Sequence, residues 1–404
     1  PLRREPERLI AVSYNPENLK HQSEIGYFAG APVQLVLARA RDVEAALGSV
    51  YGLTAVKPLP DTQVAAQYLH LRFDDTTPQL EVARLRRRPS TLRHRFSGTL
   101  PRRFEEIELL ERISVGGMAE IYRGIDHCDP EPREVAVKML LPGHDREPRF
   151  LEMFRDEARI AAHLRHRNIC DVYRSGVLDT QPYLVMEFID GLDLRSLLEV
   201  YALEHDERIA LAIHIVVEVA DALAYAHELR DDSGQPLQLI HRDVSPPNIL
   251  IDRHGAVKLI DFGIAKVLGN LARTQAGMLK GKLGYMSPEQ IACTPLDHRS
   301  DQFSLAIVLW ELLTGQPLFR GSTDIETLER QTSMRIPDAR QYLPTIPRDL
   351  LTIVERALER HVDGRFANCA AFSDALRVHL PDEGHAERMR RLGLWVASNL
   401  RVDS

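Results

Sequence analysis

Residues 239–263 read L-I-H-R-D-V-S-P-P-N-I-L-I-D-R-H-G-A-V-K-L-I-D-F-G, and no other stretch restricts the fold as tightly. Two apolar runs, Ile249-Leu250-Ile251 and Val257 to Ile260, have the composition of short strands, with a turn at Arg253-His254-Gly255 between them. Asp243 and Asn248 precede the first run, and Asp261 follows the second. A hairpin brings all three to one end. Two carboxylates and an amide then converge, a donor set for a divalent cation and a phosphate, with one carboxylate left to take a hydroxyl proton. The competing reading is a buried hairpin flanked by ordinary turn residues. It weakens because H-R-D, Asn248 and D-F-G all occur, in order and at this spacing.

A chain of 404 residues has room for two or three domains. With 44% hydrophobic and 27% charged residues it reads as globular, and a net charge of −7 gives no whole-chain attraction to nucleic acid. The most apolar long run, Ile209 to Ala226, carries His214, Glu218 and Asp221, and is expected to be a buried helix rather than a membrane span. Cys128, Cys170, Cys293 and Cys369 are scattered, with neither metal-ligand spacing nor a disulfide framework. Free thiols in the cytoplasm are expected.

The set H-R-D, Asn248 and D-F-G resembles the protein kinase family, specifically the Ser/Thr kinases of bacteria. The resemblance spans about residues 105–380. It implies an α+β, two-lobed kinase fold, here preceded by a small α/β domain. It also implies a protein Ser/Thr kinase active in bacterial signalling, with ATP and Mg²⁺ as cofactors and proteins as substrates. Ile113 and S-V-G-G-M-A-E-I-Y (114–122) match the Gly-rich loop, with Ser114 and Ala119 in place of its first and third glycines and Gly116 and Gly117 retained. Val135-Ala136-Val137-Lys138 matches the strand whose lysine holds the α/β-phosphates. Glu157 is its expected ion-pair partner, preferred to Glu152 on its spacing to L-R-H-R-N-I at 164–169. In Y-L-V-M-E-F (183–188) Met186 takes the gatekeeper position. The backbone of Glu187 and Ile189 would meet the adenine edge, Asp193 the ribose, and Ile113, Ile121, Ala136 and Leu250 the two faces of the base. Asp243 is the implied base or aligner, and Asn248 and Asp261 the implied metal ligands. Arg242 marks kinases whose catalytic loop pairs with a phosphorylated activation segment, and Thr274 is the only Ser or Thr between Gly263 and Lys282. Glu289 is expected to pair with Arg365, and Asp301 to hold the catalytic-loop backbone from the start of a buried helix, Gln302 to Leu313.

One departure from the family pattern stands out. The lysine usual two residues after the catalytic Asp is replaced by Ser245, and the usual threonine of the closing segment by Lys282. These positions face each other across Asp243 in the family fold, so an exchange of roles is one reading. The other is a surface lysine and an incidental serine. The departures at Ser114, Ala119 and Ser245 also leave a pseudokinase as an alternative, and an adaptor of a secretion or pilus assembly is a further one.

Outside the kinase-like region, residues 8–14 and 33–38 read as strands and 16–25 and 43–51 as helices. A-V-S-Y-N-P-E-N-L, Phe28-Ala29-Gly30 and D-V-E-A-A-L-G-S-V-Y-G together resemble the second half of the N-terminal domain of type II secretion and type IV pilus ATPases. A secretion- or pilus-type protein partner follows as an expectation. Cyclic di-GMP binding does not, because in relatives its motif lies in a preceding half. Residues 84–103 hold eight arginines and no acid, and read as a flexible basic linker. The expected division is a small domain over 1–60, an uncertain segment and linker over 61–104, a kinase domain over 105–380 with lobes at 105–188 and 191–380, and a tail helix within 381–404, from Glu387 to Leu400.

Overall fold

A computed structural model describes residues 2–5, 8–13, 33–37 and 100–400, except 117–118, 142–147, 162, 179, 200–204, 232 and 263–281. The chain divides into two units, residues 1–94 and 95–404. In the first, β1 (Leu2–Glu5) pairs antiparallel with β2 (Arg8–Ser13), and β2 pairs parallel with β3 (Val33–Leu37). The sequence reading missed β1, whose L-R-R-E lacks apolar alternation and gains strand character only through its partner. A parallel pair needs a crossover connection. The helices expected over 16–25 and 43–51, and the linker over 84–103, lie outside the described residues or fall mainly so.

The second unit opens with a six-stranded antiparallel sheet in the order β4-β5-β6-β7-β9-β8. Its strands are β4 (Arg102–Phe104), β5 (Ile107–Val115), β6 (Ala119–Asp126), β7 (Arg133–Leu140), β8 (Val172–Leu178) and β9 (Gln181–Glu187). Alternating side chains of the strands build one face, so that Ile107, Leu109, Tyr122, Val135, Val137, Met139 and Val185 share a core. Helix α1 (Pro148–Ala161) covers the other side, where Phe150 and Phe154 pack on Leu140 and Leu184.

The second lobe is helical. Helix α2 (Leu194–Glu199) leads to α3 (His205–His227), followed later by α4 (Pro288–Ile291), α5 (Arg299–Thr314), α6 (Asp324–Ser333), α7 (Arg348–Ala357), α8 (Cys369–Arg377) and α9 (His385–Leu400). Helices α3 and α5 are apolar around much of their circumference and lie in the centre of the lobe, as such helices must. Among the described residues α3 alone is long and apolar enough to cross a membrane, and 78% of that stretch is buried inside the protein. Helix α5 starts at Arg299, three residues before the expected Gln302, because Ser300 and Asp301 are buried and bonded within the lobe.

Glu289 and Arg365 form a two-pronged pair at 2.7 and 2.8 Å, and Ser300 Oγ donates to the same carboxylate at 2.7 Å. The Arg365 side chain is fully buried. Removing one partner strands the other charge, so Glu289→Ala is expected to cost about 3–5 kcal/mol. Urea unfolding of the variant, with an unchanged m-value, measures this.

Glu311 on α5 is buried and accepts from Tyr285 Oη at 2.7 Å and from Leu318 N at 3.1 Å. Burial raises its pKa to about 7 against the pull of these donors. An acid whose pKa is raised by folding binds its proton more tightly in the folded state. The penalty is therefore absent below its ordinary value near 4.5 and complete above 7. Stability from this group is expected to fall by about 3 kcal/mol across that window. In Glu311→Gln this fall should vanish, as read from melting temperatures between acid and neutral pH.

The tail helix docks on the lobe itself. Leu392, Trp395 and Val396 join the central core. A Cβ on Gly255, whose φ is +85°, would lie 1.9 Å from Met389 O, and one on Gly393 would lie 2.7 Å from Arg253 O. Two glycines thus let α9 lie backbone to backbone against the turn at 253–255.

Candidate active site

Strands β11 (Ile249–Asp252) and β12 (Val257–Leu259) form the expected hairpin, with β10 (Gly191–Asp193) beside β11. Asp252 Oδ1 closes the turn by accepting from His254 N and Ala256 N, each at 2.8 Å. Ile260 N donates to Asn248 O at 3.0 Å, so the residues entering and leaving the hairpin stay together. Asn248 ends a short 3-10 turn, Pro246–Asn248, and its Nδ2 donates to Asp243 O at 2.8 Å. Asp243, Asn248 and Asp261 therefore stand at one end of one hairpin.

A buried carboxylate suspends the loop before it. Asp301 takes His241 N and Arg242 N at 2.7 Å each, and meets His227 Nε2 at 2.8 Å. His241 Nδ1 accepts from Asp243 N at 3.2 Å, so its proton sits on Nε2, which donates to Ile260 O at 3.0 Å. Burial lowers the His241 pKa and keeps the ring neutral. Arg242 and Asp261 have φ of +65° and +55°, a region costly for residues with a Cβ. The surrounding bonds hold both in place. Arg242 Nε is buried without a hydrogen-bond partner among the described residues.

Lys138 on β7 reaches down from the sheet. Its Nζ lies 2.6 Å from Glu157 Oε1 on α1 and 2.8 Å from Asp261 Oδ1. Glu152, the competing choice, is exposed on α1. Burial pulls the Lys138 pKa down, but Asp261 and Glu157 outweigh it and the ammonium is held charged. Burial likewise works to raise the Asp261 pKa, yet Lys138, aided by Lys282, leaves it below the usual carboxylate range.

Lys282 Nζ contacts Asp243 Oδ2. Ser245, fully buried, turns its Oγ to the backbone oxygen of Asp243 at 3.3 Å. The positive charge beside Asp243 thus comes from the closing segment.

The implied nucleotide residues lie around the same cleft. Gly116 N donates to Ala119 O at 2.8 Å, closing the loop between β5 and β6. Ile113 is half exposed, Ile121 is partly buried opposite Lys138, and Ala136 is buried opposite Met186. Leu250 faces Asp193 across β10 and β11. Glu187 N is spent on Asp171 O at 2.8 Å, so only its carbonyl remains for an adenine edge, while its carboxylate binds Lys258 at 2.8 Å. Ile189 follows in the partly buried connection to β10. The Asp193 carboxylate, expected at the ribose, also caps α2, taking Ser196 N at 2.9 Å and Ser196 Oγ at 3.1 Å. Gly117 and Thr274 lie outside the described residues. The His227 and Lys258 contacts escaped the sequence reading, because nothing local marks partners 74 and 71 residues away.

Residues 107–376 match the protein kinase domain, and the chain belongs to the protein kinase family. Residues 1–56 match the MshEN domain, in line with the resemblance to secretion and pilus ATPases. Relatives include the tyrosine-protein kinase MasK of Myxococcus xanthus, 35% identical over 71% of this chain and 45% of its own. The serine/threonine-protein kinase PknB of Mycolicibacterium smegmatis is 36% identical over 70% of this chain and 44% of its own. The serine/threonine-protein kinase PrkC of Bacillus subtilis is 34% identical over 62% and 37%. This chain spans less than half the length of each. The crystal structure of the PknI kinase domain of Mycobacterium tuberculosis matches with a TM-score of 0.52 at 28% identity, covering 69% of this chain and 97% of that one. A protein kinase domain uses ATP and a divalent metal. The donors fit: Asn248 spends its N–H on Asp243 O, which leaves its side-chain oxygen, and the hairpin brings the Asp261 carboxylate to the same end, two hard donors for the cation.

Proposed function

We propose that this chain is a bacterial signalling kinase that transfers the γ-phosphoryl group of ATP, with Mg²⁺, to Ser and Thr hydroxyls of proteins. The observation that carries the reading is the line of contacts Glu157–Lys138–Asp261, with Asp243 and its Lys282 alongside. Lys138 holds phosphate oxygens and Glu157 holds Lys138. Asn248 and Asp261 hold the cation, whose charge offsets that of the phosphates. Asp243 orients the acceptor hydroxyl and takes its proton. Ile113, Ile121, Ala136, Met186 and Leu250 supply apolar surface for the base, with the Glu187 carbonyl and Ile189 N–H at its edge and Gly116 and Gly117 over the phosphates.

Arg242, whose buried Nε has no partner among the described residues, is suited to receive a phosphate from Thr274. The proposed division remains 1–60, 61–104, 105–380 and 381–404, with the first unit contacting a secretion- or pilus-type partner and the whole in the cytoplasm. The four free cysteines agree with a reducing compartment.

The test is incorporation of radiolabelled phosphate by purified protein, with Asp261→Ala as control, followed by phosphoamino-acid analysis. Phosphoserine and phosphothreonine are expected. Equal incorporation by the control, or none by the unaltered chain, overturns turnover in favour of a pseudokinase. Phosphotyrosine alone overturns the choice of acceptor.

A further inference from the structure

We infer that His214, Glu218 and His385 form a binding site for a divalent transition cation, zinc by donor chemistry, which pins the first turn of the tail helix α9 to the core helix α3. This stands apart from the kinase reading and uses none of its residues.

His214 and Glu218 are four residues apart on α3 and so share one face. His385 is the first residue of α9 and comes over that face. One donor atom from each of the three side chains lies within 4.8 Å of the others, and His385 Nδ1 is 3.6 Å from Glu218 Oε1. Donors of a tetrahedral zinc ion lie roughly 3.4 Å apart, so the set needs only a small closure. His385 is about one-third exposed at 39% and has the freedom to supply it.

Two features point to a ligand rather than to packing. First, His214 is 1% exposed, and its Nε2 is buried with no hydrogen-bond partner among the described residues. An orphaned buried nitrogen is costly, and a metal bond would repay it. Second, Glu218 is held as a ligand should be. Asn168 Nδ2 donates to Oε2 at 2.9 Å, and the same Nδ2 donates to Val257 O at 2.9 Å, leaving Oε1 on the histidine side. Two imidazoles and one carboxylate select zinc-like ions over magnesium, which prefers oxygen donors alone.

Positive charge nearby opposes the cation, and part of it has local answers. Arg167 Nη2 lies 3.1 Å from Glu218 Oε1 and its Nε donates to Asn168 Oδ1 at 3.1 Å, but with 58% of the side chain exposed water can replace both bonds. Arg377 is tied to Asp221, while Arg388, whose charge also acts on His214, donates to the backbone oxygen of Glu383 and stands as the charge the site has to tolerate.

The test uses the full chain, stripped with EDTA and held in excess Mg²⁺ so that the cleft does not take the probe. Titration with Co²⁺ should give one equivalent with visible d–d bands and no thiolate charge-transfer band, and Zn²⁺ should displace it. Zn²⁺ should also raise the melting temperature. His385→Ala, at a partly exposed position, and Glu218→Gln should each weaken Co²⁺ binding by about 100-fold or more and abolish the zinc-dependent rise in melting temperature. No d–d bands at stoichiometric Co²⁺, a thiolate band, or unchanged affinity in His385→Ala overturns the site.

Discussion

Lys138→Met is expected to lower kcat/KM for phosphoryl transfer by about 10³-fold or more. Lys138 is 7% exposed, and its ammonium is clamped between Glu157 and Asp261 at 2.6 and 2.8 Å. Methionine fills the volume but donates no hydrogen bond to a phosphate oxygen. It also leaves two carboxylates facing each other with nothing between them. The Asp261 carboxyl would then lose the neighbour that keeps its pKa low, and its hold on the cation would weaken with it. Both ATP binding and turnover should suffer. The strand itself should persist, because Val135, Val137 and Met139 carry its core contacts and Asp261, at 36% exposure, can turn to water. The comparison with Glu157→Gln separates the roles: that change misplaces the lysine without removing its charge, so a smaller loss is expected. Radiolabel incorporation and circular dichroism on the three proteins check this. Unaltered turnover in Lys138→Met would remove the lysine from the assignment.

Much of this site was legible because its parts are close in sequence or end regular elements. Asp243, Asn248 and Asp261 fall within one hairpin and its entry, so spacing alone brings them together once the two apolar runs are paired. Lys138 interrupts the apolar run of β7 two residues before its end, and strand alternation puts it on the face opposite the core residues Val137 and Met139. Glu157 needed the resemblance, since a helix with several acids offers no local reason to choose among them; the partly buried position does choose, and Glu152 is exposed. What could not be read was set by contacts between distant segments. That the Asp193 carboxylate also caps the short helix α2 beside it was not visible in the sequence. The tail helix offered an apolar stripe without an address. Its seat is fixed by two glycines, Gly255 and Gly393, whose missing Cβ atoms have meaning only once the two backbones meet. Three-dimensional pairing also explains β1, a charged tetrapeptide that becomes a strand because β2 presents an edge to it.

Lys282→Ala is expected to cut kcat by roughly 10²-fold or more with little change in ATP affinity. In the family pattern the positive charge beside the catalytic Asp comes from within the catalytic loop. Here that position holds Ser245, whose hydroxyl is turned to the backbone oxygen of Asp243 and carries no charge. Lys282 Nζ instead reaches Asp243 Oδ2, and its charge is also felt at Asp261. Its side chain is 37% exposed, so part of its effect is screened by water in the open cleft. Closure over substrate would remove that water and strengthen the interaction where charge builds on the transferring group. Two consequences follow from this geometry. Because Lys282 stands on the segment that closes the site, catalytic charge and segment position are coupled: displacing the segment withdraws the cation even when Lys138 and the metal ligands stay in place. And because Ser245 and Lys282 both meet Asp243, one at its backbone oxygen and the other at its carboxylate, the double change Ser245→Lys with Lys282→Thr should recover much of the activity that Lys282→Ala loses, while Ser245→Lys alone crowds two ammonium groups on Asp243. Steady-state kinetics on the single and double variants decides the matter. Normal turnover in Lys282→Ala would assign the transition-state charge to Lys138 and the metal alone.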